Sequence, residues 1–451
     1  MTLASDIPPR PSGGLYSLIW RWHFYAGLLC LPFFILLATT GGLYLFREEL
    51  APVIESHRLI APSGPAGVSL APEDLIRRAV AAQPGQAIRF TPPPIPGRSA
   101  EVGIRPEGGK TVSVFLDPAT GEVLDRLPED DRPMAIISHI HSLAILGPGP
   151  NLLIEVVGGW AILLVISGLF LWWPRGRKGG VVSLRATPAR RIWWRDLHAV
   201  VGLFACGFLL FLSVTGMPWS GYWGKHYREA INSWGVGAPA NVKPASVASD
   251  AALAATRAGS WTMDGTAAPT SRQIEGQTLP LVQVMRIARH LGVPAGHVIR
   301  LPDRTAGVFT VQSYPRQATG QRVVHIDRYS GKVLADVGFA DYGPMAKATE
   351  MGISIHTGGQ FGRINQLLMA AACLAIIVLS VAGAVMWWKR RPSEKLGAPP
   401  LPEGVRPRSL TIFTLIILAL GLLFPLLGAS VLVALLIDRL LFPLFKSRFG
   451  L

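Results

Sequence analysis

The sequence predicts a membrane protein, mainly α-helical: a duplicated four-helix transmembrane core, a C-terminal helical hairpin and two α+β domains outside the membrane. Three observations predict it. Half of the 451 residues are hydrophobic and only 16% are charged, which argues against an ordinary soluble enzyme. Four apolar stretches reach the roughly 20 residues that a helix needs to cross a bilayer. Chemistry-bearing residues recur between the halves at two fixed offsets.

The first apolar run covers about Trp20–Phe46, the second about Leu152–Trp173, the third about Leu197–Trp219 and the fourth about Ile364–Trp388. Span one is too long for a signal peptide and no A-x-A cleavage site follows, so it reads as an uncleaved anchor. A further pair of apolar segments, within residues 409–446, folds back near Phe424-Pro425. Its halves are short and Asp438-Arg439 interrupts the second. A hairpin of two spans and a re-entrant or interfacial pair both remain open there.

Orientation follows from the short loops. Arg175, Arg177, Lys178, Arg185, Arg190, Arg191 and Arg195 lie between spans two and three, and Lys389, Arg390 and Arg391 follow span four. Positive loops face the cytoplasm, so both termini are expected inside. The domain plan is then 1–46 (N-terminus and first span), 47–148 (first outer domain), 149–175 (second span) and 176–195 (inner loop). It continues with 196–221 (third span), 222–360 (second outer domain), 361–390 (fourth span), 391–408 (inner linker) and the hairpin. The net charge of +15 is concentrated beside apolar segments, which is the pattern of membrane orientation rather than of a nucleic-acid face. Cys30, Cys206 and Cys373 sit in apolar runs and read as small core residues.

The halves repeat. An offset of 175 aligns His23 with His198, Gly27 with Gly202 and Thr40 with Thr215. An offset of 215 aligns His141 with His356, Gly168 with Gly383 and Trp172-Trp173 with Trp387-Trp388. Each outer segment carries a D-x-x-x-G-[EK]-V-L string, from Asp117 and from Asp327. Flanking β-branched runs make each a strand, a tight turn with a left-handed glycine and a second strand. Helix-like stretches precede them at about Pro72–Ala82 and Leu279–Leu291.

Topology pairs the histidines. His23 and His198 both open outward-going helices near the inner face; His141 and His356 both lie near the outer face. Two neutral imidazoles facing across a gap suit the axial positions of a b-type haem, which needs no cysteine. Small residues such as Gly27 and Gly202 would let a flat macrocycle approach the helices. Zinc suits them less, since a structural site takes four ligands. Hydrogen bonding of each histidine to a neighbouring helix is the alternative. His139, two residues before His141, has Ser354 as its counterpart; it could be a propionate partner, a substrate contact or the outer ligand itself. His57, His226, His290, His297 and His325 read as ordinary positions. Arg89, Arg98 and Arg105 read equally as a solvated strand face or an attraction for an anionic ligand.

Over about residues 15–392 the chain resembles the PepSY-associated transmembrane family of bacterial iron-regulated inner-membrane proteins and siderophore reductases. The resemblance rests on W-R-x-H-x-x-x-G and T-G in span one, the D-P-x-T-G-E-V turn, H-S-L-x-x-L-G from His141 and the Trp-Trp-Pro of Trp172–Pro174. It implies a four-span core in the bacterial inner membrane, with PepSY-like periplasmic domains. It also implies two b-type haems on His23, His198, His141 and His356, and reduction of a ferric siderophore or other ferric chelate. The final hairpin lies outside it. No G-x-G-x-x-G opens a βαβ unit, so a cytoplasmic or quinol electron donor is expected. A non-redox PepSY binding or regulatory protein, and a haem subunit serving a periplasmic enzyme, are the rival functions.

Overall fold

A computed structural model describes residues 14–64, 68–174, 181–239, 260–263, 266, 268–271, 277–303, 306–391 and 407–440. The loop cations Arg175, Arg177 and Lys178, most of the linker 391–408 and the end of the expected hairpin, residues 441–446, lie outside the described residues. The elements run α1 (Gly14–Leu45), α2 (Arg47–Ile54), α3 (Ser56–Leu59), α4 (Pro72–Ala82), β1 (Gln86–Thr91), β2 (Ala100–Arg105), β3 (Val112–Leu116) and β4 (Val123–Pro128). Then come α5 (Pro133–His141), α6 (Pro148–Trp172), α7 (Arg191–Gly216), α8 (Trp223–Ser233) and α9 (Leu281–His290). The strands β5 (Val298–Arg300), β6 (Phe309–Ser313), β7 (Arg322–Ile326) and β8 (Val333–Gly338) follow. Last are α10 (Pro344–His356), α11 (Gly362–Trp388), α12 (Pro407–Leu423) and α13 (Pro425–Leu440). The chain divides into two compact units: residues 1–42, 141–225 and 369–451, and residues 43–140 and 226–368.

The first unit is the apolar one. α1, α6, α7 with its short continuation to Trp219, and α11 are each long and apolar enough to cross a membrane. Ala38, Ala161, Val165, Leu209 and Ile376 bury against one another where these helices meet. Two of the five are alanines, which lets backbones approach. α7 begins at Arg191, before the apolar run at Leu197. Long cationic stems extend a helix past the apolar slab because their heads reach water. The hairpin forms as two helices of 17 and 16 residues, shorter than the roughly 20 that a span requires. It packs on α6, where Phe424, Leu427 and Val431 bury with Ile162 and Met217. The indole N–H of Trp160 donates to Ser430 Oγ at 3.0 Å, and that of Trp223 to Leu423 O at 2.7 Å.

The second unit holds one antiparallel sheet in the order β4-β3-β2-β1-β5-β6-β7-β8. Each outer segment contributes four consecutive strands, and the two sets join where β1 pairs with β5, Arg89 opposite Arg300. Pairing these two strands removes two open edges at once. α4 and α9 cover one face. Leu75 and Ala79 of α4, and Val284 and Ala288 of α9, bury against Phe90, Val102, Val114, Ile299, Val311 and Val324. Glu73, in the first turn of α4, accepts the N–H of Leu281 at 2.6 Å and so caps α9. On the sheet, Arg89 is ion-paired with Glu101 and Glu129. It is therefore a partnered strand residue rather than a cation awaiting a ligand. His325 is buried with Nδ1 2.9 Å from Thr310 Oγ1, and burial lowers its imidazole to about 4.

The two D-x-x-x-G turns take the same form. Gly121 and Gly331 hold φ of 71° and 72°, the left-handed region that glycine enters without strain. Asp117 accepts N–H from Ala119 (2.9 Å) and Ser63 Oγ–H (2.7 Å). Asp327 accepts N–H from Tyr329 (3.0 Å) and Ser330 (2.9 Å), and Ser271 Oγ–H (2.6 Å). Burial pushes the Asp327 carboxyl up, but these hydrogen bonds prevail and hold it down at about 2. A folded pKa below the unfolded value near 3.9 means stability present above pH 4 and lost as pH falls through 2. We expect Asp327→Asn to destabilise the sheet unit by about 1–3 kcal/mol at pH 7. It should also flatten the loss of stability between pH 4 and 2. Thermal unfolding of the full chain followed by circular dichroism checks both; an unchanged acid limb in the variant contradicts the assignment.

Candidate cofactor site

The helices of the first unit bring His23 of α1 and His198 of α7 together. Their ring centroids lie 6.5 Å apart and their planes are 87° to each other. His23 Nδ1 lies 2.8 Å from Ser167 Oγ on α6. Ser167 uses its own proton on the carbonyl of Leu163 at 2.7 Å, so its oxygen must accept from the imidazole. His198 Nδ1 lies 3.0 Å from the carbonyl of Leu379 on α11, which can only accept. Both rings therefore carry hydrogen on Nδ1, and in the neutral imidazole Nε2 is left as the lone pair.

Glycines make room for these rings. A Cβ on Gly168 would lie 3.2 Å from His23 Cε1, and one on Gly383 would lie 3.5 Å from His198 Cε1. Gly27 faces Leu164 and Gly202 faces Leu379. His23 is thus backed by α6 and His198 by α11, through residues related by the sequence offset of 215.

A cavity of about 460 Å³ opens between these helices. His23, His198, Gly27, Gly202, Gly168 and Gly383 all line it, with Trp20, Phe24, Phe34, Trp172 and Trp387 supplying aromatic walls. Its lining is mostly apolar, and its cationic members are Arg191, Arg195 and Arg390. Volume and lining fall in the range of pockets for small-molecule ligands, mostly apolar with a few polar groups.

His141 belongs to the same unit and repeats the device. Its Nδ1 lies 2.9 Å from Thr40 Oγ1, and Thr40 donates to the carbonyl of Leu36 at 2.6 Å. The Thr-Gly element of span one acquires a physical role: the hydroxyl receives the imidazole proton, and Gly41, whose Cβ would lie 3.3 Å from His141 Cε1, leaves space for the ring. Thr215 back-bonds to Phe211 O at 2.7 Å in the same manner. His139 projects from another face of α5, since two residues turn a helix by about 200°; its Nε2 lies 4.0 Å from Asp130 Oδ1. His356 is the last residue of α10, in the other unit.

Ser167, the Leu379 carbonyl, and the contacts of Gly168 and Gly383 with the imidazoles are absent from the sequence reading. The repeat already aligned the two glycines. A serine beside one of them was the available signal; a backbone acceptor leaves none.

A family model described as the PepSY-associated TM region matches residues 20–390. Comparison with curated proteins finds no match.

Ser167→Ala removes the acceptor of His23 and leaves that of His198 in place. Solid-state NMR of ¹⁵N-histidine-labelled, haem-free protein in lipid reads the tautomers. We expect Nδ1–H at both rings in the parent protein, and redistribution toward Nε2–H at His23 alone in the variant. An unaltered His23 signal would show that Ser167 does not set its proton.

Proposed function

Because the chain belongs to the PepSY-associated transmembrane family, we propose that it is a dihaem b oxidoreductase of the bacterial inner membrane. It passes electrons across the bilayer to reduce a periplasmic ferric siderophore or other ferric chelate. The observation that carries this reading is the His23–His198 pair. A metal held between two imidazoles by bonds of about 2 Å sets their ring centres roughly 6 Å apart; the observed separation is 6.5 Å. The residues also fit in tautomer, with Nδ1 satisfied and Nε2 free on both rings, and in the apolar cavity around them.

Bound there, a b-type haem supplies reversible one-electron transfer. The chain's own residues do the rest. Ser167 and the Leu379 carbonyl hold the proton on each Nδ1, fix the ring orientation and raise the basicity of Nε2. The aromatic walls keep water from the cavity, and the lower dielectric favours the less charged ferrous state. The perpendicular imidazole planes are set by packing against α6 and α11.

His141 and His356 are proposed as the second ligand pair, near the outer face. The support is the offset that aligns them and the Thr40 bond that orients His141. His139, which lies beside Asp130, is then a neighbour of the outer site rather than its ligand. The two-fold repeat of the core, cytoplasmic termini and PepSY-like periplasmic domains belong to the same reading. The described loop cations Arg185, Arg190, Arg191, Arg195, Lys389, Arg390 and Arg391 support the orientation. A ferric chelate holds its metal through hard oxygen donors, and one-electron reduction weakens that hold. The electron is supplied by a cytoplasmic donor or by quinol.

Purified protein from haem-replete cells should show the absorption bands of low-spin bis-imidazole haem, with about two equivalents per chain. His198→Ala and His356→Ala should each lose about one of them. The near-perpendicular rings predict a highly anisotropic low-spin EPR signal that disappears with His198→Ala. Ferric-chelate reduction by vesicles should fall with either variant. A colourless preparation would overturn the redox reading, and haem without chelate reduction would redirect it to a protein acceptor.

A further inference from the structure

The cationic residues at the rim of the histidine cavity fall into two groups. Asp196 is fully buried and holds one of them, Arg195, whose Nη2 donates to its Oδ1 at 2.5 Å, together with Arg185 from outside the cavity, whose Nε donates to its Oδ2 at 2.9 Å. Arg191 and Arg390 line the same cavity, close enough for the charge of one to act on the other. The Arg390 guanidinium also lies 5.0 Å from the Trp20 ring and 4.8 Å from the Phe24 ring. Burial first, and then the neighbouring Arg191 charge, hold Arg390 below the ordinary arginine value. An anion placed between the two guanidinium groups would be attracted by both.

We propose that Arg191 and Arg390 form a clamp for the two propionate carboxylates of the porphyrin held by His23 and His198. This deepens the haem reading above and rests on it. Arg191 precedes His198 by seven residues on α7, two helical turns or about 10 Å along the axis. Seven residues lie on the same face. Arg390 follows Gly383 by seven residues, and Gly383 is the glycine that abuts the His198 ring. Both guanidinium groups are therefore displaced to the same side of the imidazole pair, one at the start of α7 and one just past the end of α11.

The chemistry of the ligand matches this layout. A haem is apolar over most of its edge and carries two carboxylates along one side. A slot for it needs aromatic and aliphatic walls with cations at one end only. Arginine suits a carboxylate better than lysine, because its planar fork makes two parallel bonds. Stacking on Trp20 and Phe24 orders the Arg390 fork before the ligand arrives, which lowers the entropy lost on binding. The clamp would also fix which way round the porphyrin sits.

The test compares haem b with its dimethyl ester, in which both carboxylates are blocked. The full chain carrying His356→Ala, so that the inner pair is read alone, is stripped of haem in detergent and titrated with each porphyrin by absorption. We expect haem to bind about tenfold or more tighter than the ester. Adding Arg191→Gln and Arg390→Gln should weaken haem to the affinity of the ester and leave the ester unchanged. The single variants should each lose part of the preference.

If neither porphyrin gives a bis-imidazole spectrum, the haem reading itself fails. If both bind the parent equally, that reading stands and the clamp is wrong. A double variant that still prefers haem also overturns the clamp, as does one that loses only an anionic lipid. Should the double variant not fold, the parent ratio and the single variants decide.

Discussion

A buried imidazole must find a partner for its one N–H, and the core of the apolar unit is arranged around that requirement. Leaving such a donor unpaired costs about 1–3 kcal/mol. Ser167 and the Leu379 carbonyl meet it for His23 and His198, and Thr40 meets it for His141. Once Nδ1 is committed, the tautomer is fixed, the ring plane is fixed, and the other nitrogen is a lone pair. Helix position, side-chain rotamer and ligand chemistry thus follow from one hydrogen bond per ring.

The acceptors are of a particular kind. A hydroxyl in an apolar helix has a proton of its own, and Ser167 and Thr40 both return it to the carbonyl four residues earlier, at 2.7 and 2.6 Å. This back-bonding leaves the oxygen as an acceptor only. An asparagine or glutamine in the same place would bring further donors that the apolar surroundings could not satisfy. Serine and threonine therefore complete the imidazole without adding a new unmet group. The neighbouring glycines serve the same end sterically, since the ring occupies the place of the missing Cβ.

Much of this architecture was legible in the sequence, for physical reasons. A run of some 20 apolar residues has few alternatives to a spanning helix, so four such helices could be read directly. The D-x-x-x-G turns were legible because a left-handed residue and an Asp acceptor are a local requirement. The His23–His198 juxtaposition followed from the repeat and the direction of the helices. What was not legible depends on distant partners. Nothing in the β1 or β5 segments says that these two edges pair, since periodicity fixes which face is buried and not which edge meets which. Arg89 read equally as a solvated strand residue or an attraction for an anion, because its partners, Glu101 and Glu129, lie 12 and 40 residues away. The Leu379 acceptor is backbone, and no side chain announces it.

The hairpin sets apart two helices that the sequence offset of 215 aligns. At Gly159 on α6 a Cβ would lie 2.9 Å from Leu427 Cβ, so the missing side chain is what lets α13 approach. The offset of 215 places Leu374 at the corresponding point of α11, where it is 63% exposed. A leucine there closes the groove that glycine opens, and the hairpin docks on one half. Its contacts then reach the histidine of that half. Trp160 bonds Ser430 on α13 and stacks on Trp22, one residue before His23, with ring centroids 6.2 Å apart. Phe413, Ile417 and Val431 share a cavity of about 30 Å³ with His23 and Ser167. That is room for little more than one water. His23 thus has a hydroxyl acceptor and a hairpin cover, whereas His198 has a backbone acceptor. Two imidazoles aligned by sequence differ twice over: in acceptor, because Ser167 has Ala382 as its counterpart at the offset of 215, and in cover, because Gly159 lets the hairpin approach one of them.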